Sequence, residues 1–124
     1  AAVAALAEPR LLRLNPQRDA GAEPAPAHAV LPIFDAITQA VVAAPAAERR
    51  QPAYGVLRQA LGYGWSVLVA ADPSACLPAF ASWLDVAETT GDKDLRWIAR
   101  ENLRKHRLQT LDGAWAAGWL ARLG

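Results

Sequence analysis

Residues 92 to 107, DKDLRWIARENLRKHR, gather six Lys or Arg side chains, one His and one Trp into a stretch with the periodicity of a single helix. Lys93, Trp97, Arg100, Arg104 and Arg107 recur at three- and four-residue steps along one side, with Arg96 at its edge. Leu95, Ile98, Ala99, Asn102, Leu103 and His106 take the opposite side and read as the inward stripe. Trp and Arg in one stripe is the composition of a protein-binding hot spot. A row of cations is also what a phosphate backbone attracts. The bland alternative is a solvated flank, with arginine stems lying on apolar neighbours and their heads paired with Glu101 or another acid. Trp97 sits awkwardly in that alternative, because a large aromatic on an outward flank needs a neighbour, either the terminal helix or a partner.

Catalytic chemistry has little to stand on. The two histidines fall in a Pro-rich stretch (His28) and on the apolar edge of a helix (His106), where a packed or dipole-stabilising imidazole is the ordinary role. Ser66, Ser74 and Ser82 lack the strand-turn-helix context of a nucleophile elbow, and Cys76 has no sequence partner. Gly62-Tyr63-Gly64 is too short for a phosphate loop and lies inside a helical pattern. Asp35, Asp85 and Glu88 could form an acid pair only if stacked helices brought them together. No cofactor motif and no Cys/His set with zinc spacing occurs, so no cofactor, metal or catalytic residue is expected, and the chain reads as a non-enzyme.

Those cations sit in a chain of 124 residues, the size of one domain able to bury roughly two-thirds of its unfolded surface. Net charge is only +1, yet residues 91 to 107 carry a local +3 and the remainder −2, so the basic character is localised. A lone cysteine excludes an intrachain disulfide and fits a reducing, cytoplasmic setting. The longest apolar run, around Trp65 to Ala71, stops at Asp72, which argues against a membrane span. The opening AAVAALA has no basic residue before it and ends at Glu8-Pro9, unlike a signal peptide. Starting on Ala1 with no Met anywhere, the chain reads as a domain cut from something longer.

Pro, Gly and polar clusters divide the chain. Residues 1–14 read as a helical remnant or cap, and 15–29, with three prolines between Asn15 and Ala27, as a linker. Shorter breaks at PAAERRQP (45 to 52), ADPS (71 to 74) and TTGDKD (89 to 94) separate helical patterns, and no strand pattern appears. The domain over 30–124 therefore divides into a helix pair at 30–70, a second at 73–107 and a terminal helix at 110–123 with Thr110 as its cap. Asp72 or Ser74 is expected to cap the third segment, with Pro78 tolerable at the fourth helical position if Ser74 does so, and Asp92 to cap the fourth. Gly62 and Gly64 each cost about 1 kcal/mol in a helix interior, so a kink, a break or a close helix contact is expected there. Phe34, Trp65, Phe80, Trp83, Trp115 and Trp119, at helical spacing, read as packing between helices.

An internal repeat runs through these pairs. Leu31-Pro32-Ile33-Phe34 matches Leu77-Pro78-Ala79-Phe80, and Val56-Leu57-Arg58-Gln59-Ala60-Leu61 matches Ile98-Ala99-Arg100-Glu101-Asn102-Leu103. The offsets of the two matches, 46 and 42, differ by four residues, and the extra length falls between the two helices of the first pair, where PAAERRQP is longer than its counterpart TTGDKD. CLPAFASWLDVAETTGDKDLRWIARENL (76 to 103) resembles a HEAT repeat, with Pro78 early in the first helix and Asp94, Leu95, Arg96, Ala99 and Leu103 on the second-helix pattern. Residues 30 to 64 match more loosely, and Tyr54 stands where the first repeat should carry an Arg.

The resemblance implies an all-α fold, a short superhelix of stacked antiparallel helix pairs with the Trp115/Trp119 helix as its end cap. It implies a non-catalytic interaction or scaffold module that binds a protein partner through Trp97, Arg100, Arg104, Arg96, Lys93 and Arg107. The alternative is a nucleic-acid-associated domain using the same basic face.

Overall fold

The computed structural model describes residues 26–124. Among them the chain forms six helices and no strand: α1 Ala27–Ala43, α2 Ala46–Arg49, α3 Pro52–Ala71, α4 Pro73–Thr90, α5 Lys93–Leu103 and α6 His106–Leu123. The remnant expected over 1–14 and most of the 15–29 linker lie outside the described residues. The linker's last three residues are helical: extended Pro26 accepts the Ala29 and Val30 amides, so α1 starts at Ala27.

Local chemistry sets most of the boundaries. The Asp72 carboxylate accepts from the Ala75 amide and Pro73 follows at the first helical position, so Asp72 rather than Ser74 caps α4. Gly91 ends α4 in the left-handed conformation, φ 70°, returning its amide to Ala87 O. The next residue, Asp92, accepts the Asp94 and Leu95 amides at 3.0 Å each and starts α5. Pro32 lies six residues after Pro26 and Pro78 six residues after Asp72, so α1 and α4 carry their interior proline at the same distance from the N-cap.

Two boundaries differ from the sequence reading. The expected 92–107 helix ends at Leu103, where extended Lys105 interrupts it and the Gln109 amide donates to Leu103 O, so His106 and Arg107 open α6. His106 is consequently exposed rather than inward, within 3.2 Å of the Thr110 hydroxyl. Within α6, Asp112 leaves helical geometry (φ −160°, ψ 85°) and its carboxylate accepts the Trp115 amide, so Asp112 and not Thr110 caps the final turns.

Packing centres on α3, which touches α1, α4, α5 and α6 and is buried nearly all round from Ala60 to Val69. Trp65, fully buried, meets Phe34 of α1 edge-on at 5.7 Å and stacks on Phe80 of α4 at 5.9 Å; Phe80 in turn meets Trp115 of α6 at 6.4 Å. The indole N–H of Trp65 donates to the Thr38 hydroxyl, which donates to Phe34 O, leaving no polar atom stranded. Asn102, fully buried on α5, joins α5 to α3: its amide donates to Leu61 O and Ile98 O, and its carbonyl accepts the Ser66 amide. No buried side-chain N or O among the described residues lacks a partner. No helix among them is long and apolar enough to cross a membrane.

Candidate functional site

The expected binding residues fall into two groups. Arg96 turns inward, donating to Ala87 O and Glu88 O at the end of α4 and to Leu123 O at the end of α6. Ala87 O also accepts the Gly91 amide, whereas Glu88 O and Leu123 O are carbonyls of the kind a helix C-terminus leaves without partners, so Arg96 ties two helix ends together. Arg107, carried on α6, donates to the Ser66 hydroxyl at 2.8 Å. The other four, Lys93, Trp97, Arg100 and Arg104, remain along one outer side of α5 and its C-cap. Lys93 is exposed, Arg100 half-buried, and Arg104 makes a loose exposed pair with Glu101 at 3.4 Å, of little energetic weight.

Trp97 finds its neighbour within the chain. Its ring lies across Gly62 of α3, where a Cβ would come within 2.8 Å of the indole. α3 stays helical through Gly62 and Gly64, so of the outcomes expected there the close helix contact is the one realised at Gly62. The Arg58 guanidinium lies over the indole, 3.8 Å from the ring centre.

Arg58 leads to a polar cluster that the sequence reading did not single out. Asp94, at the start of α5, accepts from Arg58 Nε at 2.9 Å, from the Tyr54 hydroxyl at 2.8 Å and from Arg49 Nη1 at 3.0 Å. Arg49, on α2, also forks onto Asp92 and donates to Val42 O and Ala44 O at the end of α1. All of the donors a guanidinium possesses are thereby used. Arg49 does for α1 what Arg96 does for α4. The first pair has Tyr54 at the position of Arg96, and the longer loop between α1 and α3 supplies the missing guanidinium.

The electrostatics follow from these bonds. Burial by itself would push the Asp94 and Asp92 carboxyls up, but the hydrogen bonds from Tyr54, Arg58 and Arg49 to Asp94, and from Arg49 and the α5 amides to Asp92, outweigh it. Both are held below the usual carboxylate range and stay ionised. Burial and the bond to Asp94 push the Tyr54 phenol above its usual range, so it remains a donor. The bond to Asp92 raises the Arg49 guanidinium further against the opposing effect of burial.

Beside this cluster lies a cavity of about 470 Å³ between α2, α3 and α5, lined by Arg49, Arg50, Tyr54, Gly55, Arg58, Lys93 and Asp94 among others. Two further grooves flank α3: one of about 340 Å³ against α1, including Val41, Ala53 and Leu57, and one of about 470 Å³ along Pro52, Gly55, Val56, Gln59, Ala60 and Tyr63. Val56, in the second of these, is 47% exposed.

The acids weighed for catalysis take separate partners. Asp35 accepts the Trp83 indole N–H at 2.9 Å, Glu88 pairs with Arg122, and Asp85 is exposed. Cys76 is buried, and that burial pushes its thiol up to about 11. Among the described residues no group of His, Cys, Asp and Glu is arranged to hold a metal. No protein-family model, no curated protein and no solved structure matches this chain.

Proposed function

We propose that the chain is a non-catalytic protein-interaction or scaffold module built from two HEAT-like helix pairs, α1–α3 and α4–α5, closed by α6. The observation that carries this reading is the outer side of α3, where Val56, 47% exposed, lines a groove with Pro52, Ala60 and Tyr63. An exposed apolar side chain in a concave surface suits a partner's side chains better than it suits water. The matched interior prolines of α1 and α4, and the guanidiniums that tie the ends of both helices, support the repeat. The lone buried Cys76 fits a reducing, cytoplasmic compartment.

A photo-crosslinking side chain at Gln59 tests the module. Capture of a partner that Val56→Asp abolishes, with no capture from the same label at exposed Ala121, is the expected result. Equal capture from both positions would overturn the reading.

Association with nucleic acid is the second reading, favoured by the outward run of Lys93, Arg100 and Arg104 beside the Arg58–Trp97 stack. Under it, binding to a short duplex and to single-stranded DNA falls along a slope of several ions as salt rises, and Arg100→Ala/Arg104→Ala flattens that slope. No binding at low salt removes this reading.

A further inference from the structure

We propose that the cavity between α2, α3 and α5 receives a phosphate monoester carried on a partner peptide, with Arg50, Arg58 and Lys93 as its ligands. The inference rests on the interaction-module reading and names the chemistry of the partner.

Charge is the first argument. Arg49 and Arg58 are matched by Asp92 and Asp94, to which they are bonded, so that set is neutral. Arg50 and Lys93 line the same cavity with no ion pair among the described residues, leaving an excess of two positive charges. Glu48, the neighbouring acid on α2, lines the adjoining groove against α1 and not this cavity. A phosphate monoester carries roughly −1.5 to −2 at neutral pH and meets that excess, which a single carboxylate would leave half unbalanced.

Preorganisation is the second. Arg58 is held from two directions, by Nε on Asp94 at 2.9 Å and by its stack on Trp97, while neither Nη atom has a partner among the described residues. Those two nitrogens form the fork that suits two oxygens of one phosphate. Asp94 is itself fixed by Arg49 and Tyr54, so the fork loses little freedom when a ligand arrives.

The third argument selects a peptide over a free phosphate or a nucleic-acid strand. Gly55 is a wall of both the cationic cavity and the apolar groove of Pro52, Val56 and Ala60, and open space lies where its Cβ would be. A chain with its phosphate in the cavity therefore crosses Gly55 and lays a neighbouring apolar side chain beside Val56. A strand of nucleic acid would carry a second phosphate onto that apolar wall.

The test uses the intact chain and oriented peptide libraries that hold one phosphoserine, one serine or one glutamate amid degenerate positions, with free O-phosphoserine alongside. We expect selected phosphopeptides to bind at least about tenfold tighter than their serine or glutamate counterparts, the scale of one charge-assisted contact, and to carry an apolar residue near the phosphate. Arg50→Glu/Lys93→Glu should remove this binding without shifting the thermal melt, because neither side chain has an internal partner. Arg58→Lys should weaken it although the charge is kept, and Val56→Asp should erase the apolar preference while leaving phosphate dependence. No enrichment over the serine library overturns the proposal, as does equal binding of free O-phosphoserine and the peptides. Gln59 capture that persists after phosphatase treatment of the partner also overturns it, while leaving the interaction module standing.

Discussion

The rim of the Trp97 indole abuts Gly62, close enough that a single methyl group there would come within 2.8 Å of it. A helical glycine that costs stability by propensity is kept because α5 presses a ring onto α3 at that point. Gly62→Ala should destabilise the domain by about 1–2 kcal/mol in urea unfolding, since overpacking outweighs the propensity gain. In a Trp97→Ala background the same substitution should change sign and stabilise by about 1 kcal/mol. A destabilisation of equal size in both backgrounds would mean that the ring contact is not the cause.

Arg49 distinguishes a fork from a charge. Its bonds to Asp92, Asp94, Val42 O and Ala44 O require a planar guanidinium, and its side chain is 19% exposed. Arg49→Ala should cost about 2–4 kcal/mol, because the mostly buried Asp92 loses its cation and Asp94 loses one of two. Arg49→Lys should recover less than half of that, since an ammonium cannot span both carboxylates and both carbonyls. Full recovery by lysine would reduce the network to simple charge neutralisation.

Acid should act through the same cluster. Asp92 and Asp94 titrate near 3.8 in the unfolded chain and lower when folded, so their stabilisation is complete above that value. It is lost as pH falls through 3.8 towards the folded values, because the unfolded chain then binds more protons. The stability difference between the wild type and Asp94→Asn should be largest near about pH 7 and narrow below 3.8. Glu88, paired on the surface with Arg122, is present in both proteins and cancels from the comparison. A difference that does not vary with pH would show that Asp94 acts by shape rather than charge.

Asn102 welds α5 to α3 through hydrogen bonds at 2.7–2.8 Å to Leu61 O, Ile98 O and the Ser66 amide. Asn102→Ala strands the Leu61 and Ser66 groups in a fully buried setting and should cost about 3 kcal/mol. Hydrogen exchange should report it locally, with the Ser66 amide losing protection ahead of the α1 amides. Unchanged exchange at Ser66 would place the acceptor of its amide elsewhere.

Much of the helical scaffold was legible because its signals are local. The caps at Asp72 and Asp92, the terminating Gly91 and the spacing of Leu95, Ile98, Ala99, Asn102 and Leu103 each act within a turn or two of chain. The aromatic set read as packing forms the contacts from Phe34 through Trp65 and Phe80 to Trp115. The site was less legible. PAAERRQP read as spare loop, yet it carries Arg49, whose partners Asp92 and Asp94 lie more than 40 residues away, and Arg50, which lines the cavity beside them. The one available signal was Tyr54 at the place of a repeat arginine, which left a helix end in need of a donor.

By itself the sequence determined the all-helical pattern and the concentration of positive charge after Gly91, because caps, periodicity and composition act over a few residues. Only the tertiary structure decided which of those cations remain available. A guanidinium is occupied by whatever carbonyl or carboxylate the fold brings within about 3 Å. Packing delivers helix ends to Arg49 and Arg96 and a serine to Arg107, and leaves Arg50, Lys93 and the free edge of Arg58 around an open cavity.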